Sequence, residues 1–231
     1  MPNAEHTLSG VSLFAKLREA ERRQIETQFR WHTYEPQQQI IDRESDSRDV
    51  FFIARGKARI IYYSPSGREV SLEDIGDGGF FGELAAIDGR PRSASVIAVT
   101  RAIVASLAPE LFVKLVTTNP ELAHALMKRL AAMIRQSSER IFDLSTLRAQ
   151  SRVYGELLRL VGNKLRADNT AVIDPAPVHA DIASRVSTTR ETVARALSDL
   201  ARHNVVKRDK HALVILDVEK LSDLAEDYGE D

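Results

Sequence analysis

The stretch Phe81-Gly82-Glu83-Leu84-Ala85-Ala86-Ile87-Asp88-Gly89-Arg90-Pro91-Arg92-Ser93-Ala94 decides how this chain is read. It sets a glycine turn, a carboxylate, an apolar filler, a second turn and a guanidinium within one short excursion between apparent strands. A planar guanidinium such as Arg92 offers parallel donors that suit a phosphate diester. A short helical turn with free amides favours an anion. A carboxylate such as Glu83 accepts from a sugar hydroxyl. The combination predicts a pocket for a small ligand carrying one phosphate and one sugar. Taken alone, Glu83 and Arg92 also fit a structural ion pair.

On either side of this excursion the texture is that of short strands. Val50-Phe51-Phe52-Ile53, Ala58-Arg59-Ile60-Ile61-Tyr62 and Ala102-Ile103-Val104-Ala105 are apolar runs. They are punctuated by Arg55-Gly56, Pro65-Ser66-Gly67, Gly76-Asp77-Gly78-Gly79 and Asp88-Gly89. Such spacing predicts an antiparallel sandwich or jelly roll from about Thr33 to Leu107. Before it, Leu13, Phe14, Leu17, Ile25 and Phe29 recur at helical intervals.

After it, Asn119-Pro120 is a helix start: Asn caps free amides and Pro fits the first turn. A stretch without Gly or Pro follows to about Leu147. Leu126, Leu130, Met133, Ser137 and Leu144 keep near-heptad spacing, with Ile141 drifting one place, which predicts a seam against a second copy. The same stripe also fits a helix lying along the β domain. Ser137 and Ser138 bring hydroxyls into or beside that seam, either to set register or to meet a ligand edge.

A new domain begins after about Arg148. Val153, Leu157, Leu158 and Val161 mark one helix, and Asp174-Pro175-Ala176-Pro177 breaks the chain before the next. Ile182, Ala183 and Val186, then Val193, Ala194, Leu197 and Leu200, supply the apolar faces of two short helices. Ser187-Thr188-Thr189 lies between them as turn and N-cap. This is the pattern of a helix-turn-helix. Its second helix presents Arg190, Glu191 and Arg195 outward. Arg190 or Arg195 can grip a guanine edge and Glu191 can accept from a cytosine amino group. His179, Thr189 and Thr192 are placed for phosphate contact. The run Val205 to Leu216 reads as a hairpin wing with a basic tip near Lys207 and Arg208.

Composition narrows the function classes. The chain has 231 residues, 43 % of them hydrophobic and 28 % charged, as in ordinary globular proteins. It has no cysteine, which excludes disulfides and cysteine-ligated clusters. No apolar run approaches the roughly 20 residues of a membrane span, and no apolar signal core opens the chain, so a cytoplasmic location without membrane contact is expected. Net charge is −1, but residues 175–211 carry about seven Lys/Arg against about four Asp/Glu. From Ala212 onward the balance reverses. The six histidines are scattered without metal-ligand spacing, and no nucleophile–base pair is evident, so neither a metal site nor an enzyme acting on nucleotides is expected.

The two signals together, in this order along the chain, resemble the cyclic AMP receptor protein/FNR superfamily. The resemblance implies an α+β architecture. Residues 1–118 would form a cyclic-nucleotide-binding β-roll, 119–147 a dimerisation helix, and 148–231 a winged helix-turn-helix. It further implies that Arg92 and Ser93 hold a cyclic phosphate, helped by the amides around Gly82 and Leu84, with Glu83 on the ribose 2′-hydroxyl. Ser137, and Ser138 of the partner subunit, would meet the purine. His179, Thr189, Arg190, Glu191, Thr192, Arg195 and Arg208 would contact DNA. The implied ligand is cyclic AMP, with cyclic GMP second, because hydroxyls accept either purine edge and Ser93 can reach a guanine amino group if the base is syn. The implied partners are double-stranded DNA at a palindromic operator, a second copy of the chain, and RNA polymerase. No cofactor is implied. A regulator of the same architecture with another effector, such as haem, is the alternative. Two positions depart from the family pattern. Met133 stands where the best-known member has an arginine linking the pocket to the helix. Ser187 stands where the turn usually has glycine.

Overall fold

A computed structural model describes residues 6–64 and 69–226. The Pro65-Ser66-Gly67 turn and the last acidic residues, 227–231, lie outside the described residues. The chain divides into two compact units, with the boundary inside one long helix between Ile134 and Arg135.

The first unit opens with a 3-10 turn, Ser12–Phe14, and helix α1, Glu19–Glu26. Eight strands follow: β1 (Arg30–Tyr34), β2 (Gln39–Ile41), β3 (Val50–Arg55), β4 (Ala58–Tyr63), β5 (Glu69–Ile75), β6 (Phe80–Phe81), β7 (Ser95–Ala98) and β8 (Ala102–Leu107). They form two antiparallel four-stranded sheets, ordered β1-β8-β3-β6 and β2-β7-β4-β5. The β-roll expected from the strand spacing is therefore present.

Alternation along β3 explains why its run is apolar throughout. Phe51 and Ile53 point into a core shared by both sheets, with Ile41, Ala58, Ile75, Phe81 and Val96. Val50 and Phe52 point the other way, into a core closed by the N-terminal segment and the helices. There Phe52 meets Phe14, Phe29, Phe80 and Phe112.

Between β6 and β7 the excursion forms a short helix, α2 (Glu83–Asp88), ended by Gly89 at φ 70°. Helix α3 spans Pro109–Thr118 and α4 spans Pro120–Thr146. The cap works as expected: Asn119 Oδ1 accepts from the amides of Glu121 (3.0 Å) and Leu122 (3.3 Å).

The stripe expected on α4 divides between core and surface. Leu126 is buried in the core of the first unit and Met133 is half-buried. Ile141 and Leu144, which the sequence pattern named, are exposed, and Met127 and Ile134 join them at seven-residue intervals before Ile141. Leu122 and Leu126 are consumed by the chain's own core, so the outward stripe begins at Met127.

The second unit continues with α5 (Ala149–Val161), β9 (Ala171–Ile173), α6 (His179–Arg185), α7 (Arg190–Arg202), β10 (Val206–Asp209), β11 (Ala212–Ile215) and α8 (Val218–Ala225). A three-stranded antiparallel sheet, β10-β11-β9, makes the wing. One apolar core joins Val153, Leu157, Ile182, Val193, Leu200 and Ile215. The wing tip is Lys210-His211, beyond the last pair Asp209–Ala212. Lys207 and Arg208 lie within β10, so they are not the tip that the sequence suggested. Among the described residues no helix is long and apolar enough to cross a membrane.

Candidate ligand pocket and nucleic-acid interface

Gly82 sets the geometry of the pocket. Its φ of 85° is left-handed, and a Cβ there would stand 2.8 Å from Arg92 Nη1 and 3.0 Å from the Asp49 carbonyl. Glycine thus serves both the turn and the close approach of Arg92. The Arg92 guanidinium donates from Nη1 to the Gly82 carbonyl (3.0 Å) and from Nη2 to the Asp49 carbonyl (2.8 Å) and Ser47 Oγ (3.1 Å). It also lies 5.8 Å over the Phe51 ring.

Every one of these direct acceptors is neutral. Arg92 is only 4 % exposed, and its Nε–H is buried without a partner among the described residues. Burial works against its charged form, opposed by the more distant charges of Asp49 and Glu83. A guanidinium nevertheless keeps its proton. The chain therefore holds a buried cation, fixed in place, with no carboxylate directly on it. Such a group is costly unless an anion completes it. The ion-pair alternative for Glu83 and Arg92 is not what the structure shows.

Glu83 is 3 % exposed. Burial raises its pKa above the ordinary glutamate value. Its own backbone amide, Arg129 and Arg92 pull it down, and Glu73 pushes it up. It is a desolvated acceptor suited to a hydroxyl. Leu84 is exposed. Ser93 is exposed and makes no hydrogen bond among the described residues. Ser137 and Ser138 are exposed on the part of α4 that belongs to the second unit.

Sequence reasoning missed four residues here. Ser47 and Asp49 come from the polar loop before β3 and orient Arg92. Arg129 and Glu73 form a bidentate pair at 2.8 and 2.6 Å that ties α4 to β5. A signal for Arg129 was available. It shares the inward face of Leu122 and Leu126 at i, i+4, i+7 spacing, and a cation on such a face implies a buried partner. It also supplies a guanidinium from α4 near Glu83, one turn before Met133.

In the second unit Ser187 adopts φ 53°, so the helix-turn-helix does use a left-handed turn residue. Arg140 Nη2 donates to Ser187 Oγ (3.3 Å), and Arg152 Nε to the Val186 carbonyl (3.0 Å), which supports the turn from outside. Thr189 caps α7 by accepting from the Thr192 amide at 3.2 Å. Arg190, Glu191 and Arg195 are exposed along the start of α7. The Glu191 carboxyl is held below its usual pKa by its own amide and the Thr189 hydroxyl, so it stays ionised. His179, Arg190 and Arg208 come together along a groove of about 690 Å³ between α7, the wing and the start of α6. Arg195 lies outside that groove, with Nη2 3.4 Å from Thr192 Oγ1.

The description "cyclic nucleotide-binding domain" matches residues 31–119, and "Crp-like helix-turn-helix domain" matches residues 151–224. A cyclic AMP receptor protein from Thermus thermophilus is 30 % identical over 180 residues, which cover 76 % of this chain and 79 % of that protein. The chain belongs to the cyclic AMP receptor protein (CRP)/FNR superfamily. A CRP-like cAMP-activated global transcriptional regulator from Mycobacterium tuberculosis is 28 % identical over 180 residues, 75 % of this chain and 78 % of that one. A CooA mutant from Carboxydothermus hydrogenoformans shares the fold with a TM-score of 0.80 at 19 % identity, covering 94 % of this chain and 96 % of that one. This CRP-type chain is a transcription regulator with a cyclic-nucleotide-binding domain and a DNA-binding helix-turn-helix, and not an enzyme.

Proposed function

We propose that the chain is a homodimer that binds cyclic AMP, with cyclic GMP as second ligand, and in that state grips a palindromic operator. One observation carries the ligand reading: Arg92 is a buried, immobilised guanidinium with only neutral direct acceptors and a spare Nε–H. A cyclic phosphate supplies one negative charge and two exocyclic oxygens, which suits a fixed cation. Glu83 accepts from the ribose 2′-hydroxyl, a group that deoxyribose lacks. Gly82 and the Leu84 amide line the phosphate side, and Ser93 adds a hydroxyl there. Similarity to a cyclic AMP receptor protein from Thermus and a cAMP-activated regulator from Mycobacterium favours cyclic AMP as effector.

The exposed stripe of Met127, Ile134, Ile141 and Leu144 supports pairing of two α4 helices, since apolar side chains at heptad intervals in water gain by mutual burial. Ser137, and Ser138 of the partner subunit, meet the purine in that arrangement. Two recognition helices then stand about one DNA turn, roughly 34 Å, apart. Arg190, Glu191 and Arg195 read bases, while His179, Thr189, Thr192 and Arg208 hold phosphates. The domain limits 1–118, 119–147 and 148–231, the cytoplasmic location and contact with RNA polymerase belong to the same reading.

Calorimetry of the purified protein with cyclic AMP and cyclic GMP tests it. Saturable binding is expected, lost in Arg92→Ala. Titration with and without operator tests the switch: each ligand must tighten the other by the same factor, and equal ligand affinity in both conditions defeats it.

A further inference from the structure

The turn of the helix-turn-helix carries a backbone cost that glycine would avoid. Ser187 stands at φ 53°, in the left-handed region that glycine adopts most readily. Serine brings one thing there that glycine lacks, a hydroxyl. That hydroxyl accepts from Arg140 Nη2 at 3.3 Å, and Arg140 belongs to α4, 47 residues earlier in the chain.

Arg140 is set apart from its neighbours on the helix. From Arg135 to Thr146, the stretch of α4 within the second unit, Arg140 is half-buried and every other residue is exposed. The turn it reaches is itself firmly held. The Val186 amide donates to the Ile182 carbonyl and the Thr188 amide to the Ala183 carbonyl, each at 3.0 Å, and Thr188 is buried. Thr189, two residues beyond Ser187, caps α7. Arg152 of α5 grips the same turn from another side. Its Nε donates to the Val186 carbonyl (3.0 Å) and its Nη1 to the Leu147 carbonyl (2.7 Å), just past the end of α4. The backbone of the turn is thus joined to the α4–α5 junction, and the side chain of its left-handed residue is joined to α4 itself. With both attachments in place, the first residues of α7 follow α4 rather than move independently of it.

We infer that the Arg140–Ser187 contact is a positioning tether that carries the state of α4 to the recognition helix, so that the nucleotide's effect on DNA affinity depends on it. The inference rests on the nucleotide-gated reading above, in which Ser137 meets the purine. Arg140 follows Ser137 by three residues, about 4.5 Å along the helix axis. A shift of that turn of α4 on ligand binding moves the guanidinium, and with it the residue that stands two before the Thr189 cap. Arg140 and Ser187 act through the start of α7, where Arg190 and Glu191 lie. Coupling of this kind requires the contact to be stronger in the nucleotide-bound, DNA-competent state than in the free one. A net hydrogen bond is worth about threefold to tenfold in an equilibrium constant, which sets the size of the effect.

The test measures a response factor on the full-length protein: its DNA affinity with saturating cyclic AMP, and separately cyclic GMP, divided by its affinity without nucleotide. The DNA is a duplex of inverted half-sites selected from a random pool by the wild type with nucleotide present. The variants are Ser187→Gly, Ser187→Asn, Arg140→Met and the double variant of Arg140→Met with Ser187→Gly, each with a thermal unfolding curve. Glycine and asparagine both accept a left-handed backbone, but only asparagine keeps an acceptor. Ser187→Gly and Arg140→Met should each lower the response factor about threefold to tenfold, the double variant no further than either alone, and Ser187→Asn should hold it within about twofold of wild type. Ser187→Gly does not strain the turn, so it carries the test if Arg140→Met fails to fold. A merely structural contact shifts the melting temperature, or the DNA affinities with and without nucleotide equally, and leaves the response factor unmoved; that result overturns the inference. So do effects that add in the double variant, or a loss in Ser187→Asn as large as in Ser187→Gly. If the wild type responds to neither nucleotide, the nucleotide-gated reading itself falls, and this inference with it.

Discussion

The arginines of the pocket and those of the recognition helix are the same side chain put to opposite uses. Arg92 is buried and held by three hydrogen bonds to neutral groups before any ligand arrives. Arg190 and Arg195 stand in water at the start of α7. The first has lost its conformational freedom during folding, so a bound anion gains its full attraction in a low-dielectric site. The others keep their freedom and remain screened by salt. A small ligand must find one fixed geometry. A long polyanion presents many phosphates and rewards adaptable contacts. Nucleotide affinity should therefore change little with ionic strength, while DNA affinity should fall steeply.

Substitutions at the two kinds of arginine sharpen the contrast. The largest effect is expected from Arg92→Ala. Removing two charge-assisted bonds costs about 4 kcal/mol, roughly a thousandfold in nucleotide affinity, with weak salt-dependent DNA binding retained; calorimetry and a mobility-shift titration read the two halves. Arg190→Ala should cost about 1–3 kcal/mol at one base pair and leave nucleotide affinity intact, measured on a panel of singly substituted operators. A variant in which either change disables both activities breaks the comparison.

Glu83 supplies a smaller, pH-dependent effect. Burial raises its folded pKa above the ordinary value of 4.5, so the native state binds the proton more tightly than the unfolded chain. The stabilisation is complete below the unfolded value and is lost as pH rises through the folded one. Glu83→Gln removes that dependence. Melting curves from pH 4 upward should show wild type losing stability relative to the variant as pH increases, while the variant binds the ribose less well. A constant difference across the range would show that Glu83 is not desolvated. The smallest effect is expected at Ser187. Relief of its left-handed backbone is worth about 1 kcal/mol, partly offset by the chain entropy of glycine. Ser187→Gly also gives up the bond from Arg140 Nη2, so the net change in thermal unfolding of the second unit should stay within about 0.5 kcal/mol.

These contrasts also explain what could be read from sequence. The pocket motif was legible because Gly82, Glu83 and Arg92 act within one local excursion, where spacing and geometry coincide. Asn119, Thr189 and the two apolar faces of the helix-turn-helix were legible for the same reason. The Arg129–Glu73 pair was not, because its partners are 56 residues apart and meet only once α4 has docked on β5. Ser47 and Asp49 were hidden in a loop whose polarity looked like that of any exposed turn. Which α4 side chains stay exposed was only partly legible, because an apolar pattern does not say which stripe the chain's own core will take: Leu126 is buried while Met127 and Ile134 are exposed. The wing tip was displaced because Lys207 and Arg208 are basic but strand-paired, while the turn falls on Lys210-His211.

Strand β3 carries one more consequence. Phe51 lies beneath the Arg92 guanidinium, and the next residue, Phe52, is the hub of the aromatic packing that seats Phe14, Phe29 and Phe112. A single peptide unit is thus the partition between the ligand chamber and the compartment that anchors the helices. Because successive residues of a strand cannot turn independently, any displacement of the chamber floor is handed directly to the far side of that wall.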